Sequence, residues 1–189
     1  SGTQGAYVSL YFSADNTFTF YTDSSERISV EGIVASRWYH IALVRNSGTT
    51  TLYFDGVSQG TYSDSQSYLV RSDGPLIGIA RNESNNPLDG YLSNYRILKG
   101  TALYTSNFTP PTHALEVIGD TVLLCCNNSD SAGADGTGKT VTANGNAAAS
   151  TFSPGLTRDF TSGTEFRGVT TFDTQGYFVP PSGTTEQRG

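Results

Sequence analysis

The chain has 189 residues, enough for one domain with a hydrophobic core and too few for two large ones. A net charge of −6 with only two lysines argues against nucleic acid as a partner, because phosphate binding needs a basic surface. No apolar run approaches the roughly 18 residues of a bilayer-spanning helix, so membrane insertion is not expected. Charged residues make up 15%, where about 25% is usual, so the surface must be built from Ser, Thr, Asn and Gly. There is no methionine, so position 1 is read as the product of processing or excision.

The apolar periodicity is two through most of the chain. Tyr7 to Phe12 alternates Val8, Leu10 and Phe12 with Tyr7, Ser9 and Tyr11. Thr17 to Phe20 repeats the pattern, and Ile28 to Val34 reads as a third strand. Arg37 to Arg45 is apolar on both faces, as in a central strand. Thr49 to Phe54 then meets Asp55-Gly56 and Val57-Ser58, which predicts a hairpin with a type I′ turn. Further strands are predicted at Leu76 to Ala80, Tyr91 to Leu98 and Thr121 to Cys126, separated by Asp73-Gly74-Pro75, Asn85-Asn86-Pro87 and Thr109-Pro110-Pro111. The best helix candidate, Thr112 to Glu116, offers little more than one turn. Many short strands between turn formers predict an all-β antiparallel sandwich or barrel.

The later part changes character. Residues 127–150, rich in Asn, Asp, Ser, Gly and Ala, read as a long loop with a weak strand at Lys139 to Thr142. From about 160 onward there is no Leu or Ile, and Pro180-Pro181 leads into a Thr/Gly-rich end. The expected division is a sandwich over 1–158 and an extended connector over 159–189. Cys125 and Cys126 are neighbours on a strand, so they should point to opposite faces as two free thiols, one buried and one outward.

Trp38 to Arg45, Leu52 to Gly56, Ile77-Gly78, Gly90 to Ile97, Lys99 to Tyr104 and Asn107 to Pro111 together resemble laminin-G-like, concanavalin A-like jelly rolls in order and spacing. The closest likeness is to versions in structural proteins of tailed phages, including marine cyanophages. Leu123-Leu124-Cys125-Cys126 fits the same pattern, and Gly168 to Thr185 resembles tail-fibre connectors. The resemblance implies a jelly roll in a virion appendage, a tail or head fibre. Its implied partners are other copies of the chain, by analogy as a homotrimer, together with neighbouring virion proteins and host-surface glycans. Alternatives are a capsid decoration protein and a bacterial adhesin or extracellular filament subunit. Family members begin with a strand ahead of the equivalent of Tyr7, and that strand is missing. An edge near Tyr7 is therefore expected to be filled by an upstream segment or a neighbouring subunit.

Several motifs match patterns without the context that gives them meaning. Gly133 to Thr140 fits a phosphate-binding loop letter for letter, yet no strand leads directly into it and no helix starts at Lys139. Gly56-Val57-Ser58-Gln59-Gly60 fits a hydrolase elbow but should form the return strand of a hairpin. The clustered carboxylates of a glycosidase are absent, so no catalytic residue is assigned and no enzyme activity is expected. For carbohydrate, the candidates are Tyr91, Tyr95 and Tyr104 with Arg81, Asn82 and Asn85, because sugars stack on rings and hydrogen-bond to amides. No cofactor is required by these motifs. Asn127, Asn128, Asp130 and Asp135 offer oxygens of the kind Ca²⁺ takes, without the spacing of an EF-hand.

Overall fold

The computed structural model describes residues 7–68, 75–79 and 87–154, together with two short strands near the C-terminal end. The chain divides into two compact units, Ser1–Leu156 and Thr157–Gly189. The described residues are all-β and contain no helix. In the first unit, β1 (Val8–Phe12), β2 (Phe18–Thr22) and β3 (Ser25–Val30) form one antiparallel sheet in that order. A second antiparallel sheet contains β4 (Ile41–Asn46), β5 (Thr49–Phe54) and β6 (Val57–Ser63). β7 (Tyr95–Leu98) pairs with β8 (Thr121–Cys125). In the second unit, β9 (Thr171–Phe172) pairs with β10 (Phe178–Val179).

Three two-residue hairpins set the registers. Asp23-Ser24, Ser47-Gly48 and Asp55-Gly56 each join strands paired up to the flanking residues, and all six residues have positive φ. That is the type I′ geometry whose twist matches that of the strands it joins. The predicted turn at Asp55-Gly56 is therefore present. At the first of these hairpins β3 starts at Ser25, immediately after the turn.

The sandwich core lies between the two three-stranded sheets. Phe18, Phe20 and Ile28 from the first pack with Leu52 and Phe54 from the second, flanked by Tyr39, Ile41, Leu43 and Tyr62. Fully burying a side chain of this size is worth about 1.5–3 kcal/mol, so this cluster is what holds the sheets together. At its margin lies a buried polar knot. The fully buried carboxylate of Asp64 accepts the hydroxyls of Thr50 (2.5 Å) and Tyr68 (2.5 Å) and the Gln66 amide (3.0 Å), with Arg45 at 3.7 Å. Burial pushes this carboxyl up, but those hydrogen bonds and Arg45 outweigh it and leave it below the usual range.

The first sheet extends past its cover. Register pairs Val8 with Thr22, Leu10 with Phe20 and Phe12 with Phe18, so the β1 row lies on the core-facing side. The backbones of the two sheets come closest at β3 and β6, and β1 is two strands away from β3. Leu10 is consequently 41% exposed and Phe12 46% exposed, although their partners Phe20 and Phe18 are buried.

Other expectations are corrected. Residues 76–79 form no strand, and Ala80 lies outside the described residues. The strand predicted from Tyr91 begins only at Tyr95, because Asn94 has a positive φ of 55° and its side chain accepts the Leu115 amide. Lys139 to Thr142 is not a strand, and Thr112 to Glu116 is not a helix. Cys126 leaves β8 with a φ of 57°, which breaks the alternation and brings the two thiols to 3.8 Å. Both are free, and burial pushes Cys125 up to about 12 and raises Cys126. Both therefore stay protonated and unreactive at neutral pH.

Candidate functional site

The outer face of β4 and β5, opposite the core, carries a shallow cleft. Register places Ala42 beside Tyr53, Val44 beside Thr51 and Asn46 beside Thr49. The segment after β7 folds across this face and leaves a cleft of about 220 Å³. Its lining is Val44, Asn46, Thr49, Thr51, Tyr53, Tyr104 and Thr105. It thus combines three threonine hydroxyls, one amide, the Val44 side chain and two tyrosines, of which Tyr53 is only 3% exposed, and no lining side chain is charged.

The wall of this cleft is anchored by aromatic stacking. Tyr104 lies flat on Phe108, with ring centroids 3.6 Å apart and planes at 5°. Phe108 in turn meets Tyr53 edge-on at 5.4 Å and His40 at 5.4 Å. The Phe108 amide donates to the Gly56 carbonyl at 2.9 Å, and Asn107 Oδ1 accepts the Ser58 amide at 2.9 Å. A Cβ on Gly56 would sit 1.9 Å from the Phe108 carbonyl oxygen, so the hairpin turn can be seated here only with glycine. Asp55 orders the strand entry: its Oδ1 accepts the His40 amide at 2.8 Å and its Oδ2 pairs with Arg37 at 3.0 Å. Burial holds His40 below its ordinary pKa. Asp55 pulls it up and Arg96 pushes it further down.

A second group of rings gathers around Trp38, in the segment that leads into β4. Trp38 meets Phe152 at 5.7 Å and Tyr91 at 6.4 Å, and Tyr91 meets Phe152 at 4.8 Å.

Residues 1–104 match the family model of the concanavalin A-like lectin/glucanases superfamily. The chain belongs to this superfamily. No curated protein and no solved structure matches it. For a member of a superfamily of lectins and glucanases, a neutral cleft of hydroxyls, amide and rings has the chemistry that sugar recognition uses. Rings take the C–H faces of a pyranose, while hydroxyls and amides exchange hydrogen bonds with its hydroxyls.

The structure places the residues singled out from sequence as sugar contacts in separate neighbourhoods. Tyr104 lines the cleft. Tyr91 belongs to the Trp38 group. Tyr95 is half-buried on β7, where burial and then the neighbouring thiols of Cys125 and Cys126 raise its pKa. The three tyrosines thus serve three different neighbourhoods. Arg81, Asn82 and Asn85 lie outside the described residues. The cleft residues Asn46, Thr49, Thr51, Tyr53 and Thr105 were not anticipated. The signal for the strand pair was Ser47-Gly48, a hairpin dipeptide that sets Asn46 opposite Thr49 and Val44 opposite Thr51.

The acidic loop is organised around its own backbone. Asn128 Oδ1 accepts the amides of Asp130 (2.8 Å) and Ser131 (2.9 Å). Asp135 accepts the amides of Leu124 (2.8 Å), Thr137 (3.0 Å) and Lys139 (2.7 Å) and the Thr137 hydroxyl (2.6 Å). Burial pushes its carboxyl up, but these bonds outweigh it and bring it down to about 2. In the stretch that spells a phosphate-binding loop, the backbone amides of Thr137 and Lys139 are therefore taken by an internal carboxylate. Among the described residues, no group of three or more His, Cys, Asp or Glu side chains could hold a metal ion. Ser58 of the apparent hydrolase elbow lies on β6, the return strand of the hairpin.

Proposed function

We propose that the chain is a non-enzymatic glycan-binding and structural module of a virion appendage, a tail or head fibre of a tailed phage. It contacts host-surface glycans through the cleft on β4 and β5. The observation that carries the proposal is the uncharged lining of that cleft, three threonine hydroxyls and the Asn46 amide around the rings of Tyr53 and Tyr104. Absence of a carboxylate or histidine from the lining favours binding over hydrolysis, since glycoside cleavage uses a pair of carboxyl groups at the bond. Binding needs no metal. The oxygens of Asn128 and Asp135 that suit Ca²⁺ are engaged by their own loop. The virion setting rests on the likeness of Trp38 to Pro111 and of the C-terminal stretch to tail-fibre proteins.

The partners in the particle are further copies of the chain and neighbouring virion proteins, by analogy in a trimer. β1 is where copies meet. Tyr7 to Ser13 carries no charge in a chain of net charge −6, so two such strands approach without repulsion.

A glycan array probed with the purified protein, with and without EDTA, tests the function. The expected result is binding to neutral host polysaccharides, unchanged by EDTA and without release of reducing ends. Absence of binding to every glycan would leave assembly alone as the role.

A further inference from the structure

The cleft is one end of a longer surface. Trp38, His40, Ala42, Val44 and Asn46 follow one another at a spacing of two, which places them on one side of an extended chain. Contacts bear this out: Tyr39 packs on Phe54 in the core, while His40 meets Tyr104 and Phe108 on the outer side. β4 itself begins at Ile41, so Trp38 lies three residues ahead of it, in the segment that leads into the strand. Tyr104 belongs to both parts, lining the cleft and meeting His40 at 6.3 Å.

At the Trp38 end, three rings from distant parts of the sequence converge, with Tyr91 57% exposed and Phe152 59% exposed. Scattered surface aromatics are ordinary, but a convergent set left open to water marks a binding surface. Trp38 Nε1 and His40 Nδ1 are buried without a hydrogen-bond partner among the described residues, so this row also has unused polar capacity. None of the rings carries a charge, and neither does the cleft lining.

We propose that the Trp38–Tyr91–Phe152 group is a second sugar subsite, and that the ligand is therefore an extended neutral glycan chain rather than a single sugar. This rests on the reading of the cleft as the first subsite. A chain held at Asn46 and Thr49 by its hydroxyls lays a later ring on Tyr91 and Phe152. Occupying two linked subsites raises affinity without new contacts at either, because the second binding event becomes intramolecular.

The chain's single tryptophan is in the proposed subsite, so its fluorescence reports on it directly. The test titrates the protein with glucose, mannose and galactose and with the neutral hexasaccharides of each. It follows Trp38 emission and, by calorimetry, affinity. The expected result is that one hexasaccharide binds about 100-fold more tightly than its monosaccharide and shifts Trp38 emission, while the monosaccharide binds without that shift. In the double variant Tyr91→Ala, Phe152→Ala the gain disappears and monosaccharide binding remains. Both side chains are more than half exposed, and thermal unfolding checks that the variant is folded. Equal affinity for both lengths, or a gain that survives in the variant, overturns the subsite while leaving the cleft standing. Failure of every sugar to bind overturns both readings. A variant that changes sedimentation with unchanged sugar binding assigns the rings to contact between copies and also overturns the subsite.

Discussion

His40 sits against the rings of Tyr104 and Phe108, with its backbone clamped by Asp55. Burial favours its neutral form, so its folded pKa is below the ordinary value of about 6.5. The unfolded chain therefore takes up the proton first. Stability from this residue is fully present above about pH 6.5 and is lost as pH falls through the lowered folded value. One proton accounts for at most about 1.4 kcal/mol per pH unit. Asp64 and Asp135, held below the usual carboxylate range, take up protons only at lower pH and do not obscure this window. Thermal unfolding at a series of pH values from 7.5 to 5 should show a falling midpoint in the native protein and a flatter profile in His40→Phe. Parallel profiles would mean that His40 is not the group responsible. His40 was legible in the sequence as part of Arg37 to Arg45, a run apolar on both faces. Its aromatic box was not, because Tyr104 and Phe108 reach it from some sixty residues away.

At the scale of elements, the hairpins were the most readable features, since a two-residue turn with positive φ restricts the residues it accepts. Asp55-Gly56 announced itself, and the structure adds why glycine is required there. Gly56 has a φ of 80°, and a methyl group would overlap the Phe108 carbonyl at 1.9 Å. Gly56→Ala should therefore lose ~3 kcal/mol or more in denaturant unfolding, since it both strains the turn and displaces the segment that walls the cleft. A loss below ~1 kcal/mol would show that the close approach is not a constraint. β1 was equally legible as a strand, but its surroundings were not. Alternation shows which residues share a face, not whether another sheet reaches far enough to cover it. Leu10 and Phe12 look like core residues and are left open. If copies of the chain meet along this edge, Leu10→Lys should reduce self-association in sedimentation velocity. Its thermal midpoint should barely change, because exposed substitutions usually stay within ±0.5 kcal/mol. Unchanged sedimentation would remove β1 from the assembly surface. β7 shows the opposite failure. Tyr91 to Leu98 has a strand's pattern, but the positive φ and side-chain bond of Asn94 start the strand four residues late and free Tyr91 to join Trp38.

The whole molecule follows from a shortage of charge and an abundance of alternating apolar residues. Those two features pointed to a sandwich with a Ser/Thr/Asn surface, and the all-β fold and superfamily match agree with that. The proposed sugar-binding surface was less legible for a physical reason. It is made where one strand pair meets a loop that returns from residues 104–108, and no local pattern encodes that meeting. Tyr104 was identified because a tyrosine suits sugar wherever it lies, whereas Thr49 and Thr51 look like ordinary strand residues until the register is known. The neutral cleft is the central claim. It is tested most directly by titrating ¹⁵N-labelled protein with glucose, mannose and galactose and following the amide resonances. At least one of these sugars should shift the amides of Val44, Asn46, Thr49, Thr51, Tyr53, Tyr104 and Thr105 and leave β1 to β3 unmoved. Shifts confined to other parts of the molecule, or none with any sugar at millimolar concentration, would contradict it.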